Sequence, residues 1–177
     1  GLVAQARAVL APATGPEGDL TLGVYSTLGP RHAPRLIRGY TDGIPAREHL
    51  LTSDRPAPAL LFERLGGELA QQCADEKRIG CLSANTAAEL GREVDAVCTI
   101  LDPDRAAWLE TYRTLVVRGQ AEGHLRSELD PKSTGELVQS VLAGLRVSAR
   151  VMPAEDVDAQ ARTFVAALCT PAGAETF

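Results

Sequence analysis

Aromatic side chains are scarce in this chain: three Phe, three Tyr and one Trp make up 4% of 177 residues. Its core must therefore be aliphatic, and abundant alanine and leucine favour helices packed through short apolar side chains. Histidine is as scarce. His32, His49 and His124 lie far apart, and none neighbours a Ser or Cys and a carboxylate in a hydrolase-like set. No glycine-rich loop of the P-loop or dinucleotide type is present. Glu89 and Glu93, one helical turn apart, read as a solvated edge or cap rather than an acid–base pair. The expectation is a protein without a catalytic site. The four cysteines, Cys73, Cys81, Cys98 and Cys169, form no CxxC pair and have no clustered histidines, so neither a metal nor a cofactor is expected. They read as small buried apolar residues, with Cys73 and Cys81 as the two that could meet on oxidation. No run approaches the roughly 18 apolar residues of a membrane span, and no signal peptide opens the chain. The expected location is the cytoplasm, with no membrane partner.

Acidic residues are missing from one stretch. The net charge is −5, yet between Leu20 and Thr41 there is no Asp or Glu, while Arg31, His32, Arg35 and Arg38 are present. Residues 1–50 carry five Arg against four acids, and 51–177 carry thirteen basic residues against nineteen acids. The result is a short basic segment on an acidic body, which reads either as a phosphate-binding edge or as an ordinary solvated face.

Breakers are distributed just as unevenly. Seven Gly and five Pro fall within residues 1–50, too dense for long helices, so short pieces over Gln5–Ala11 and Leu20–Leu28 and a Pro-interrupted run from Arg31 to Leu51 are expected. Beyond them the periodicity is helical throughout, and no segment alternates with period two. Arg55–Lys77 carries Leu61, Phe62, Leu65, Leu69 and Cys73 on one face, with Gly66-Gly67 as a bend. Cys81–Leu90 and Arg92–Leu101 follow. Asp102-Pro103-Asp104 then restarts the chain into a helix over Pro103–Ala121 that buries Trp108, Tyr112, Leu115 and Val116 and stops at Gly123.

Asp130-Pro131 is a cap followed by a proline at the first helical position. Behind it Leu137, Val138, Val141, Leu142, Leu145 and Val147 form a broad apolar face, interrupted by Gly144, where glycine costs about 1 kcal/mol against alanine. Close approach of another helix would offset that cost. Ala154–Cys169 places Val157, Ala161, Phe164, Val165 and Leu168 on one side. Two such helices suit half of a four-helix bundle completed by another copy, or equally a cover for the subunit's own core.

Three motifs resemble the TetR-type (tetracycline-repressor-like) regulators. Gly80-Cys81-Leu82, Asn85 and Glu89-Leu90 match the GCL-x-x-N-x-x-x-E-L pattern of one branch. Gly123-His124-Leu125, followed by Gly144-Leu145-Arg146-Val147-Ser148-Ala149-Arg150, matches that branch's closing pattern. The stretch from Leu22 to Ala33, with Gly23, Tyr25 and Gly29, is similar to its recognition-helix end. The front departs from the pattern. Gly1–Gly15 resembles the turn after the usual first helix plus the second helix, about three extra residues precede Tyr25, Leu28 stands where Phe is usual, and Pro34 falls near the start of the fourth helix, so the expectation is either a protein that begins before Gly1 or an altered head.

The resemblance implies an all-α homodimer with a helix-turn-helix head over residues 1–47 and a ligand-binding and dimerisation domain over 48–177. Thr21, Tyr25, Ser26, Thr27 and Arg31 would meet operator DNA, the hydroxyls and Arg31 serving phosphates and base edges. Phe62, Leu65, Cys98, Trp108, Tyr112 and Leu142 would line a pocket for a small apolar or aromatic effector. Val141, Gly144, Leu145, Ser148, Phe164, Val165 and Leu168 would form the dimer interface. The implied function is a repressor that releases its operator when the effector binds. The alternative is a ligand-binding helical dimer without competent DNA binding.

Overall fold

The computed structural model describes residues 45–67, Leu69, Cys73 and 95–177, with side chains from 102 onward in the last stretch. The predicted DNA contacts Thr21, Tyr25, Ser26, Thr27 and Arg31, the Gly80–Leu90 motif and Cys81 lie outside the described residues, as does the side chain of Cys98. The described part is all-α. Residues 45–52 are helical (α1), followed by α2, Ala57–Phe62, which continues as a π-helical turn over Glu63–Gly67. Then come α3, Asp95–Ala121; α4, Pro131–Ser148; α5, Ala154–Leu168; and a single turn, α6, Pro171–Ala174.

Local chemistry places most of these boundaries. The Asp130 carboxylate accepts from the Ser133 N–H at 2.8 Å and Pro131 occupies the first turn, so α4 starts where a cap and a proline coincide. That backbone bond, and a second from the Ser133 side chain, hold the Asp130 carboxyl below the usual carboxylate range. At the other end of the preceding connection Gly123 takes φ +74°, a left-handed conformation that ends α3. The bend expected at Gly66-Gly67 takes the form of the π turn.

Pro103 corrects one expected boundary. Instead of restarting the chain, it lies inside α3, which runs unbroken for 27 residues. An interior proline removes one backbone hydrogen bond, at a cost of about 3 kcal/mol. Here the ring is exposed, and the long packed face of α3 outweighs the loss.

Helices α3 and α4 pack along their length as an antiparallel pair. They come close at Gly135, where an added Cβ would come within 3.1 Å of the Arg113 backbone nitrogen. Against this pair lie α2 and α5, and the core they enclose contains Leu60, Leu61, Leu65, Leu69, Leu115, Val116, Val138, Leu142, Val157, Ala161 and Val165. Each fully buried Leu or Val contributes about 1.5–3 kcal/mol through removal from water.

Residues 168–173 are tied to the α3–α4 connection by polar contacts, beside the apolar packing of Leu168 and Phe177. The Thr170 hydroxyl donates to the Gly123 carbonyl at 2.8 Å, its N–H donates to the His124 carbonyl at 2.9 Å, and Arg126 N–H donates to Leu168 at 3.1 Å. Thr170 also caps α6, accepting from Gly173 N–H at 3.1 Å. The α3–α4 connection is thereby stitched to residues 168–173. No helix among the described residues is long and apolar enough to cross a membrane.

Candidate ligand and coupling site

Where α2 opens into the π turn, Arg64 and Leu65 both turn inward. Arg64 is a charged residue with only 7% of its surface exposed. Its guanidinium carbon stands 4.0 Å from the centre of the Trp108 ring, and its Nε–H donates to the Tyr112 hydroxyl at 3.3 Å. Trp108 and Tyr112, one turn apart on α3, stack with centroids 5.5 Å apart at 26°. A cation over an indole face is worth about 0.5–2 kcal/mol, more as water is excluded. The charge of Arg64 is thus held by an aromatic face and a hydroxyl inside an otherwise aliphatic core.

A second guanidinium reaches the same indole from α1. Arg47 lies 5.3 Å from the Trp108 ring centre, and its Nη1 is 2.7 Å from Asp104 Oδ1. The sole tryptophan of the chain therefore joins α1 to the core. At the other end of α1, Arg118 donates from Nη1 to the Ser53 carbonyl at 3.0 Å and from Nη2 to the Arg55 carbonyl at 2.9 Å. Arg118 is itself paired with Glu122 at 3.2 Å.

Of the six residues expected to line a pocket, Leu65, Trp108, Tyr112 and Leu142 fall in one continuous core. Phe62 sits at its edge and faces outward, lining an open groove of about 520 Å³ with Arg55, Glu63, Asp158 and Phe177. The Phe62 and Phe177 rings lie 5.6 Å apart, with the Arg162 guanidinium 4.3 Å above Phe62. Phe62 is thus on a different side of α2 from the Trp108–Tyr112 stack. Arg64 was not among the expected residues, although its position pointed to it. It follows Leu60 by four and Leu61 by three, which places it on the apolar face of the helix.

The residues expected at a dimer interface divide in two. Leu145, Val165 and Leu168 are 5%, 0% and 5% exposed and belong to the subunit's own core, which corrects their assignment to an outward surface. Alternate apolar positions on α4 and α5 turn inward to cover α2 and α3, so these three are consumed by the monomer. Val141, Ser148 and Phe164 are half-buried. Gly144 is exposed and meets nothing within 4 Å of an added Cβ, so the close helix it was expected to admit is not among the described residues. Beside it the outward face of α4 carries Leu137 and Val147, with Val151 just past its end, 49%, 59% and 80% exposed. Residues 137, 141, 144, 148 and 151 follow one another at helical spacing as a small and apolar stripe. The exposed side of α5 offers Ala159, Thr163, Ala166 and Ala167.

Comparisons with curated proteins and with solved structures return no match. A family model, described as the tetracyclin repressor-like C-terminal domain, matches residues 69–165, which take in α3, α4 and nearly all of α5. That span is more than half of the chain and agrees with the all-α arrangement of the described helices. The chain belongs to the TetR family of regulators.

Proposed function

We propose that the protein is a ligand-responsive, DNA-binding repressor that works as a homodimer. Residues 1–47 serve as the head and 48–177 as the body. The proposed boundary falls inside α1, which makes that helix the element shared by both. The observation that carries the reading is the family match over 69–165, together with an α4 face whose apolar residues and glycine notch have no partner among the described residues. A second copy packed on α4 and the small-residue side of α5 completes a four-helix bundle.

In such a dimer two heads must stand roughly 34–36 Å apart to read successive half-sites. Thr21, Tyr25, Ser26, Thr27 and Arg31 are the proposed contacts, set in the longest stretch of the chain free of acidic residues. An effector that binds better to another head spacing lowers operator affinity by that differential and by no more. A small aromatic or apolar effector suits the Trp108–Tyr112 stack, with Leu65 and Leu142 as further walls and Phe62 and Cys98 as candidate edges.

The test is a titration of the 177-residue chain against a pool of randomised duplexes, followed by a salt series on the selected sequence. Nanomolar binding to a palindromic site, weakening steeply between 50 and 200 mM salt, supports the repressor. A dimer that selects no sequence supports instead a ligand-binding helical dimer without DNA recognition. The front's departures from the family pattern favour looking for that outcome.

A further inference from the structure

The geometry points to a small-molecule site on the outer side of α2. It is the groove at the π turn, where the Asp158 carboxylate, the Arg162 guanidinium and the Phe62–Phe177 ring pair together suit a zwitterionic α-amino acid with an aromatic or large apolar side chain. This goes beyond the repressor reading and rests on no part of it, since Phe62 and Phe177 lie on the other side of α2 from the Trp108–Tyr112 stack.

The groove is opened by side chains that are missing. Gly66 and Gly67 carry the chain through the π turn without Cβ atoms, and such turns recur at functional sites. A Cβ added at Gly67 would meet nothing within 4 Å, while one at Gly66 would stand 3.3 Å from Asp158 Oδ1 and 3.7 Å from the Phe62 ring. Bare backbone therefore lies between a carboxylate and a phenyl ring. Phe177, half-buried, forms a further wall with its ring 5.6 Å from that of Phe62. The volume of about 520 Å³ falls within the roughly 300–1,000 Å³ of sites that hold small molecules.

The charges around the groove divide into those already matched and those left over. Glu63 is matched, by Arg55 and by His49 Nε2 at 3.4 Å. Asp158 and Arg162 stand four residues apart on α5, the spacing at which opposite charges on a helix meet. They do not pair, and neither has an ion-pair or hydrogen-bond partner among the described residues. Arg162 lies instead over the rings, 4.3 Å from the centre of Phe62 and 5.8 Å from that of Phe177, and Asp158 lies against Gly66. An acceptor and a donor of opposite charge are thus held a turn apart beside two phenyl rings. An α-amino acid carries the complement on adjoining atoms: its ammonium donates to Asp158, its carboxylate accepts from Arg162, and its side chain lies against the rings. A ligand with only one charge meets a like charge at Arg162 or at Asp158, so the pair selects for both.

Isothermal titration of the 177-residue chain with L-phenylalanine tests the site. Saturable binding with a Kd below about 1 mM is expected. Phenethylamine, which lacks the carboxylate, and hydrocinnamate, which lacks the ammonium, should each bind about tenfold more weakly. Asp158→Asn and Arg162→Gln, both at exposed positions, should each weaken L-phenylalanine about five- to tenfold with the circular dichroism unchanged. Gly67→Leu places a side chain in the groove and should abolish binding. The absence of saturable binding overturns the proposal, and so does a single-charge analogue that binds as tightly as L-phenylalanine. Binding that survives all three substitutions overturns it as well, and a change in Trp108 emission would then put the ligand in the core. No DNA enters the measurement, so its failure leaves the operator titration standing, and the reverse holds.

Discussion

Arg64 illustrates how a single charged side chain can be a core component. It gives up water for an indole face and a phenol hydroxyl. Replacing it with Ala removes a charge-assisted hydrogen bond, strips a packed stem from the core and leaves the Tyr112 hydroxyl without that donor. The expected loss is about 2–4 kcal/mol of stability, read from urea unfolding followed by circular dichroism. Cys169 shows the opposite handling of an ionisable group. Burial pushes its thiol up to about 11 from an ordinary 9.0. The folded state holds the proton more tightly than the unfolded one, so this contribution to stability is complete below pH 9 and is lost as pH rises through 11. At pH 8, alkylation followed by peptide mass spectrometry should label Cys169 far more slowly than the half-buried Cys73. Equal labelling would show that the Leu125–Cys169 region opens readily.

At the scale of helices, two glycines on α4 make a matched experiment. Gly135 faces α3 so closely that an added methyl meets the Arg113 backbone, whereas Gly144 faces open space within the subunit. Gly135→Ala should therefore destabilise by about 1–3 kcal/mol despite its better helix propensity. Gly144→Ala should raise the stability of an isolated subunit by about 0.5–1 kcal/mol. If the notch admits a second copy, the same substitution should weaken the dimer. Comparing melting at low and high protein concentration separates the two contributions.

The elements were legible wherever their signals were local. Asp130-Pro131, Gly123 and the stripe through Trp108, Tyr112, Leu115 and Val116 each act within a turn or two, and all three appear as expected. Pro103 misled because a local breaker was overridden by tertiary packing along the rest of α3. Leu145, Val165 and Leu168 misled for a related reason: apolar periodicity says that a face is buried, not what buries it. Arg64, Arg47 and Asp104 were legible as residues but not as a site, since Arg47 and Asp104 stand 57 positions apart.

For the whole molecule the decisive quantity is the number of copies. The outward face of α4, with Leu137 and Val147 well exposed and Val151 just beyond its end, is a surface that an isolated subunit would leave in water. Leu137→Glu with Val147→Glu should convert a dimer at micromolar concentration into a monomer by sedimentation, with helix content preserved because neither residue belongs to the core. A monomeric unmodified chain would remove the basis for the four-helix bundle and for any paired reading of DNA.

The stitching of Thr170 to Gly123 and His124 has a consequence for synthesis. Forty-six or more residues separate these partners, so the elbow between α3 and α4 stays incomplete until Thr170 has left the ribosome. Translation that stalls within α5 would strand a hairpin with loose carbonyls at its bend.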